Sequence, residues 1–233
     1  MKIIHYNTYS DIIVEFQDNY NAKVHTSYQC FKKGRVKNPY HKTTRGTGYL
    51  GEGIAKENGK LKKSYKVWFA MIDRCYGNNE SKNPSYKGCT VCEEWHNYGN
   101  FEKWFNENFY QIKNEDMELD KDILLKHNKI YCPQYCCFVP SNINCLFTKS
   151  DKIRGECPIG VTWHKRDLVY EAWCSDGHKK NIYLGRFNDK NKAFLKYKQY
   201  KENLIKKIAN EYKEYIPENL YSALINYEVE ITD

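Results

Sequence analysis

The run from residue 159 to 213 constrains the fold most: three short segments that alternate apolar and polar side chains lead into one long segment of helical period. Residues 160–164, 168–175 and 181–187 are rich in β-branched and aromatic side chains, which suit a pleated, half-buried surface. Lys165-Arg166-Asp167 and Asp176-Gly177-His178 separate them and are short enough to turn each strand back on its neighbour. Asp189 then stands where a helix needs a side-chain acceptor for its first amides. After it, Ala193, Phe194, Tyr197, Tyr200, Leu204, Ile208 and Tyr212 recur at the spacing of one helix face. Such a helix covers one face of a three-stranded sheet and leaves the other free. Alternation puts Trp173 and Tyr183 on that free face beside His164, Lys165 and Arg166.

The rest of the chain reads as smaller elements. Residues 11–16 read as a strand and the following Asp-Asn-Tyr-Asn as a turn into a second one. Residues 28–34 form a short helix or turn that ends at Gly34. Residues 38–60 contain Asn38-Pro39 and glycines at 46, 48, 51, 53 and 59, a loop or linker composition. The Gly-x-Gly pairs there follow no strand–helix pattern, which argues against a dinucleotide site. Trp68, Met71, Ile72 and Cys75 then make one buried helix face, and Phe101, Trp104, Phe105 and Phe109 make a second, with Trp95 near its start. Stripes of this kind are core packing and not a cofactor box. Residues 117–147 read as strand, turn at His127-Asn128-Lys129, strand, and a helix beginning at Ser141, a ββα unit whose first strand is acidic. The expected class is therefore α+β.

Composition narrows the function. Of 233 residues, 15% are aromatic, 21 of them tyrosine, which argues against disorder. No stretch approaches the ~20 apolar residues of a membrane span, and the opening MKIIHYNTYSD has no apolar core of a signal peptide. With ten cysteines in a long, Lys-rich chain, the expected setting is a reducing cytosol. The formal charge is +8, unevenly spread: +8 over residues 1–67, −3 over 68–151, +8 over 152–213 and −5 over 214–233. Two basic blocks suit a polyanion such as nucleic acid, and aromatic and basic side chains on a narrow sheet can enter the major groove of double-stranded DNA. The acidic centre suits a divalent cation beside a phosphate. Period two places Glu118, Asp120 and Asp122 on one strand face, where three carboxylates repel unless solvated or bridged. Cys89-Thr90-Val91-Cys92 has metal-ligand spacing, and Cys132 with Cys136 or Cys137 would complete a structural zinc site; buried free thiols are the alternative. Tyr28, Phe31, Lys32, Lys33, Arg35 and Lys37 offer a second phosphate-contacting arm.

Gly160-Val161, Ala172, the Tyr183-Leu184-Gly185-Arg186-Phe187 run and the helix with Ala193 and Tyr197 resemble the DNA-binding domain of plant ethylene-response factors (apetala type). Similar domains lie at the C-terminus of phage HNH homing endonucleases. The upstream part is similar to that type too, through Trp68, Met71, Arg74-Cys75, YKGCTVCEEW, the Leu119-Asp120-Lys121-Asp122 strand and the turn with Cys136. The resemblance covers about residues 65–213. Residues 1–64, outside it, are expected to be a basic β-rich N-terminal region with linker; the resemblance implies an HNH-like ββα domain over 65–151, an ethylene-response-factor-like domain with an acidic tail over 152–233, and the cytoplasm of a bacterial host as the setting. It implies base-reading positions at Thr162, His164, Arg166, Trp173, Ser175, Asn181 and Tyr183. It puts Asp120 at a metal-ligand position, with Asp122 or Asn144 supporting, and Mg²⁺ or another divalent cation as cofactor. Lys121 stands where the family's general base, a histidine, belongs; His127 is near in sequence, and Tyr135 stands at the family's middle asparagine. A lysine of ordinary pKa ~10.4 is protonated at neutral pH and is a poor base. Two functions follow as expectations: a site-specific, metal-dependent DNA endonuclease of a bacteriophage, or a DNA-binding regulator without cleavage. The second includes a counter-defence protein whose target is a host nuclease.

Overall fold

In a computed structural model, residues 1–77, 86–148, 156–177 and 180–233 are described. His178 and the expected boundary at 151 and 152 lie outside them. The fold is mixed α+β. In chain order its elements are β1 (Lys2–Thr8), β2 (Asp11–Glu15), β3 (Lys23–Thr26), α1 (Tyr28–Lys32), β4 (Lys56–Glu57), β5 (Lys60–Leu61) and α2 (Lys63–Tyr76). Next come β6 (Thr90–Val91), a 3₁₀ turn (Glu93–His96), α3 (Tyr98–Asn108), β7 (Met117–Asp120), β8 (Ile130–Tyr131) and β9 (Cys137–Pro140). Last are α4 (Ser141–Asn144), a 3₁₀ turn (Cys145–Phe147), β10 (Val161–His164), β11 (Val169–Ser175), β12 (Asn181–Phe187), α5 (Lys190–Tyr212) and α6 (Glu218–Ile225). The chain divides into two compact units, residues 1–109 with 129–134, and residues 110–128 with 135–233. No helix among the described residues is long and apolar enough to cross a membrane.

In the first unit β1, β2 and β3 form an antiparallel sheet in that order. Ile12 and Val14 point inward and are fully buried. The stripe read on α2 packs as expected, with Trp68, Met71 and Ile72 buried; Cys75 is only half-buried. Trp68 Nε1 donates to Trp95 O at 2.7 Å, and Phe101 and Phe105 of α3 complete the aromatic core. The glycine-rich loop 38–60 carries the β4–β5 hairpin. Gly53 has no side chain for a reason: a Cβ there would stand 2.5 Å from the Tyr98 ring.

In the second unit the order β10-β11-β12 is antiparallel throughout. Asp189 caps α5 by accepting from Lys192 N at 2.9 Å. Val161, Ala172 and Cys174 of the sheet bury against Ala193, Phe194 and Tyr197 of the helix. Farther along α5 the most buried row is Lys201, Ile205 and Ala209, whereas Leu204, Ile208 and Tyr212 sit on its flank. The reason is α6, whose Leu220 and Leu224 are buried and which packs on α5. The ββα reading needs one correction. The strand that pairs with β7 is β9, with Met117 opposite Pro140 and Asp120 opposite Cys137. Residues after the His127 turn instead pair in parallel with β6.

Candidate nucleic-acid interface

The sheet β10–β12 is covered by α5 on one side and open on the other. Thr162, Trp173, Ser175, Asn181 and Tyr183 are exposed and His164 is half-buried. The register pairs Trp173 with Tyr183 and Ser175 with Asn181, and the two rings meet at 4.8 Å between centres. The pairing depends on a bulge. Ala172 faces Gly185 but Trp173 faces Tyr183, so one extra residue of β12 is accommodated there, where Gly185 takes φ +125°. The extra residue lets Tyr183 and Arg186, three apart in sequence, share the open face.

Three residues on or beside this face were not among the expected site residues: Asp167, Glu171 and Arg186. Arg186 Nε bonds Glu171 Oε1 at 3.0 Å across the strands, and its Nη1 lies 2.9 Å from Asp167 Oδ2. Arg166 Nε reaches Asp167 Oδ1 at 2.9 Å, and His164 Nδ1 stands 3.5 Å from Asp167 Oδ2. The Arg166 bond, with His164 and Arg186 nearby, holds the Asp167 carboxyl below the usual carboxylate range. Two carboxylates thus orient two guanidiniums: Asp167 holds Arg166 and Arg186, and Glu171 holds Arg186 a second time. The sequence carries no signal for this pairing, because the one-residue offset that brings Glu171 opposite Arg186 exists only in the paired sheet.

The acidic loop after β7 is built differently from the expected metal site. Asp120 is half-buried, and its Oδ1 accepts from Asp122 N at 2.8 Å and Ile123 N at 2.7 Å. Burial first, and the Asp122 carboxylate second, push its carboxyl up to about 6. Lys121 is buried and its ammonium bonds Asp122 Oδ2 at 2.7 Å and Asn128 O at 3.1 Å, while Asn128 Nδ2 returns a bond to Lys121 O. Asn144 does not turn to Asp120: it donates to Glu118 Oε2 at 2.5 Å, and Ser141 Oγ donates to the other oxygen of Glu118. His127 takes φ +61° and its Nε2 stands 3.5 Å from Glu230 Oε2. Beside it Lys126 Nζ bonds Glu228 O at 2.7 Å, Glu230 Oε1 at 3.1 Å and Asp233 Oδ2 at 2.8 Å. The acidic C-terminal segment is therefore fastened to this loop, a contact that no local pattern announces.

All ten cysteines are free thiols. Cys89, Cys132 and Cys136 are buried and Cys92 is half-buried. Cys92 N donates to Tyr131 O at 2.9 Å, which aligns Cys92 with Cys132 at the end of the β6–β8 ladder. Burial, with Cys132 nearby, pushes the Cys92 thiol up. Among the described residues no group of three or more His, Cys, Asp and Glu side chains is placed to hold a metal ion. Comparison of the chain with family models, with characterised proteins and with solved structures returns no match.

Proposed function

We propose that the protein binds duplex DNA through the open face of the β10–β12 sheet and does not cut it. The observation that carries this reading is the composition of that face. The Trp173–Tyr183 ring pair lies among Thr162, Ser175 and Asn181, with His164, Arg166 and Arg186 beside it. Three strands about 4.8 Å apart make a slab roughly 10 Å across, narrow enough for a major groove about 12 Å wide. Guanidiniums suit the paired acceptors of guanine, and an asparagine amide suits adenine. Asp167 and Glu171 hold the guanidiniums in place before DNA arrives, which lowers the ordering cost of binding. The lysines of the +8 block from 152 to 213 supply phosphate contacts.

The donor set around Asp120 supports binding over cleavage. A magnesium ion needs six oxygens in near-octahedral array, at least some of them protein carboxylates. Here one Asp120 oxygen is taken by two backbone amides, Asp122 is taken by Lys121, and Asn144 is taken by Glu118. These residues do not fit that ion as arranged.

Duplex affinity measured against salt is the test. With the charge blocks described, log affinity falls steeply with log salt as counterions are released; a flat dependence overturns the proposal. Trp173→Ala is expected to weaken specific duplex binding by about 1–3 kcal/mol with unchanged circular dichroism, because the ring is 36% exposed and lies outside the core. A supercoiled plasmid incubated with Mg²⁺ or Mn²⁺ should remain unnicked. Metal-dependent nicking that EDTA stops and Asp120→Ala abolishes would establish the endonuclease instead.

A further inference from the structure

We infer that the first unit carries a second, separate nucleic-acid site, a tyrosine-lined and lysine-flanked surface on α1 and the β1–β3 sheet that takes single-stranded nucleic acid. Tyr6 is 54% exposed and Tyr9 is 59% exposed. Their ring centres lie 6.0 Å and 5.7 Å from that of Tyr28. The cluster is rigidly mounted. Ser27 caps α1 by accepting from Cys30 N at 3.2 Å, and Tyr28 N donates to Tyr9 O at 2.9 Å, which ties the helix to the β1–β2 turn. Nearby in the chain a second exposed ring, Tyr20, lies parallel to Tyr40 at 4.2 Å. Directly after α1 come Lys32, Lys33, Arg35 and Lys37, all exposed, none of them in an ion pair among the described residues.

The occupant follows from this chemistry. Clustered rings left in water are costly unless a partner covers them. The four unpaired cations within six residues require that partner to be anionic. A duplex satisfies the cations but not the rings, since its base faces are already stacked on one another. Single strands expose both a phosphate backbone for the basic strip and base faces for the rings, and recognition by aromatic platforms within a basic groove is how such strands are held. Tyrosine serves well because two torsions fix a large ring at low entropic cost. This site lies wholly within residues 1–45 and is independent of the sheet proposed to read duplex.

Fluorescence anisotropy of the full chain tests the inference, with labelled oligothymidine and oligouridine of about 20 nucleotides and a hairpin duplex of similar size as probes. Wild type should bind the single strands. Tyr6→Ala with Tyr9→Ala should weaken that binding roughly tenfold or more while changing duplex affinity less than about twofold. Tyr9→Phe, which keeps the ring, should bind as wild type does. Lys32→Glu with Arg35→Glu should weaken single-strand binding and flatten its salt dependence. Both tyrosines are more than half exposed, and Tyr9→Ala alone serves if the double variant fails to fold. Trp173→Ala should show the reverse pattern, losing duplex and keeping single strands, so failure of the duplex reading is seen separately. Three results would overturn the inference: no binding of either single strand by wild type, equal loss of single-strand and duplex affinity in the ring variant, or equal loss in Tyr9→Phe and Tyr9→Ala. A preference between oligothymidine and oligouridine in an otherwise supporting result assigns the site to DNA or RNA.

Discussion

Asp120→Asn is expected to stabilise the protein at neutral pH by roughly 2–3 kcal/mol. The Asp120 carboxyl is pushed up to about 6, by burial first and by Asp122 second, against an ordinary value of 3.8. The buried Cys137, opposite it in the β7–β9 ladder, offers no charge in return, its thiol being raised by burial. An asparagine keeps the oxygen that accepts from Asp122 N and Ile123 N and discards the charge that burial penalises. The sign follows from linkage. Unfolded, the group ionises near 3.8; folded, near 6; so the folded state carries its full cost above pH 6 and recovers it as pH falls from about 6 towards about 4. Wild type should therefore gain stability through that window and the variant should not, so their difference vanishes near pH 4. Urea unfolding in the presence of EDTA, which keeps any cation out of the comparison, measures it. A difference that stays constant from about pH 4 to about pH 7.5 would show that Asp120 is ordinary and solvated.

Gly160→Ala should cost about 2–5 kcal/mol and remove duplex binding with it. Gly160 takes φ +74°, and a Cβ there would stand 2.1 Å from Cδ2 of Tyr197. Tyr197 is 6% exposed, wedged between the sheet and α5, so the ring has nowhere to swing. Relief has to come from shifting the start of β10, where Gly160 O accepts from Trp173 N at 2.8 Å. That bond sets the strand carrying Trp173, which is why stability and binding should fail together. Thermal unfolding and duplex anisotropy on the same sample provide the check. A loss below about 0.5 kcal/mol would mean that the helix and sheet are not packed as described.

Much of the open sheet face was legible because its determinants are local. Period two along β10, β11 and β12 is enough to gather Thr162, His164, Trp173, Ser175, Asn181 and Tyr183, and a carboxylate at Asp189 is enough to start α5. The parts that were not legible involve residues far apart in the chain. Residues 38–60 read as loop or linker, and only packing shows Gly53 lying under Tyr98. The expected metal constellation assumed that Asn144 would meet Asp120. In the fold Asn144 meets Glu118, because pairing β7 with β9 brings α4 back beside the start of β7 and not its end.

By itself the sequence determined the α+β class, the three-strands-then-helix module, the aromatic stripes of α2 and α3, and the two basic blocks. Each is a matter of side-chain period or charge count over a short stretch, settled by backbone geometry before any distant contact forms. Tertiary structure alone decided that β9 and not β8 pairs with β7 and that a bulge at Gly185 puts Arg186 beside Tyr183. It alone decided that Lys201 lies in the middle of the buried row of α5 and that Lys126 grips Glu230 and Asp233 about a hundred residues away. Those choices rest on which hydrogen bonds and buried areas survive when many candidate pairings compete, and residue spacing along the chain does not encode the outcome of that competition.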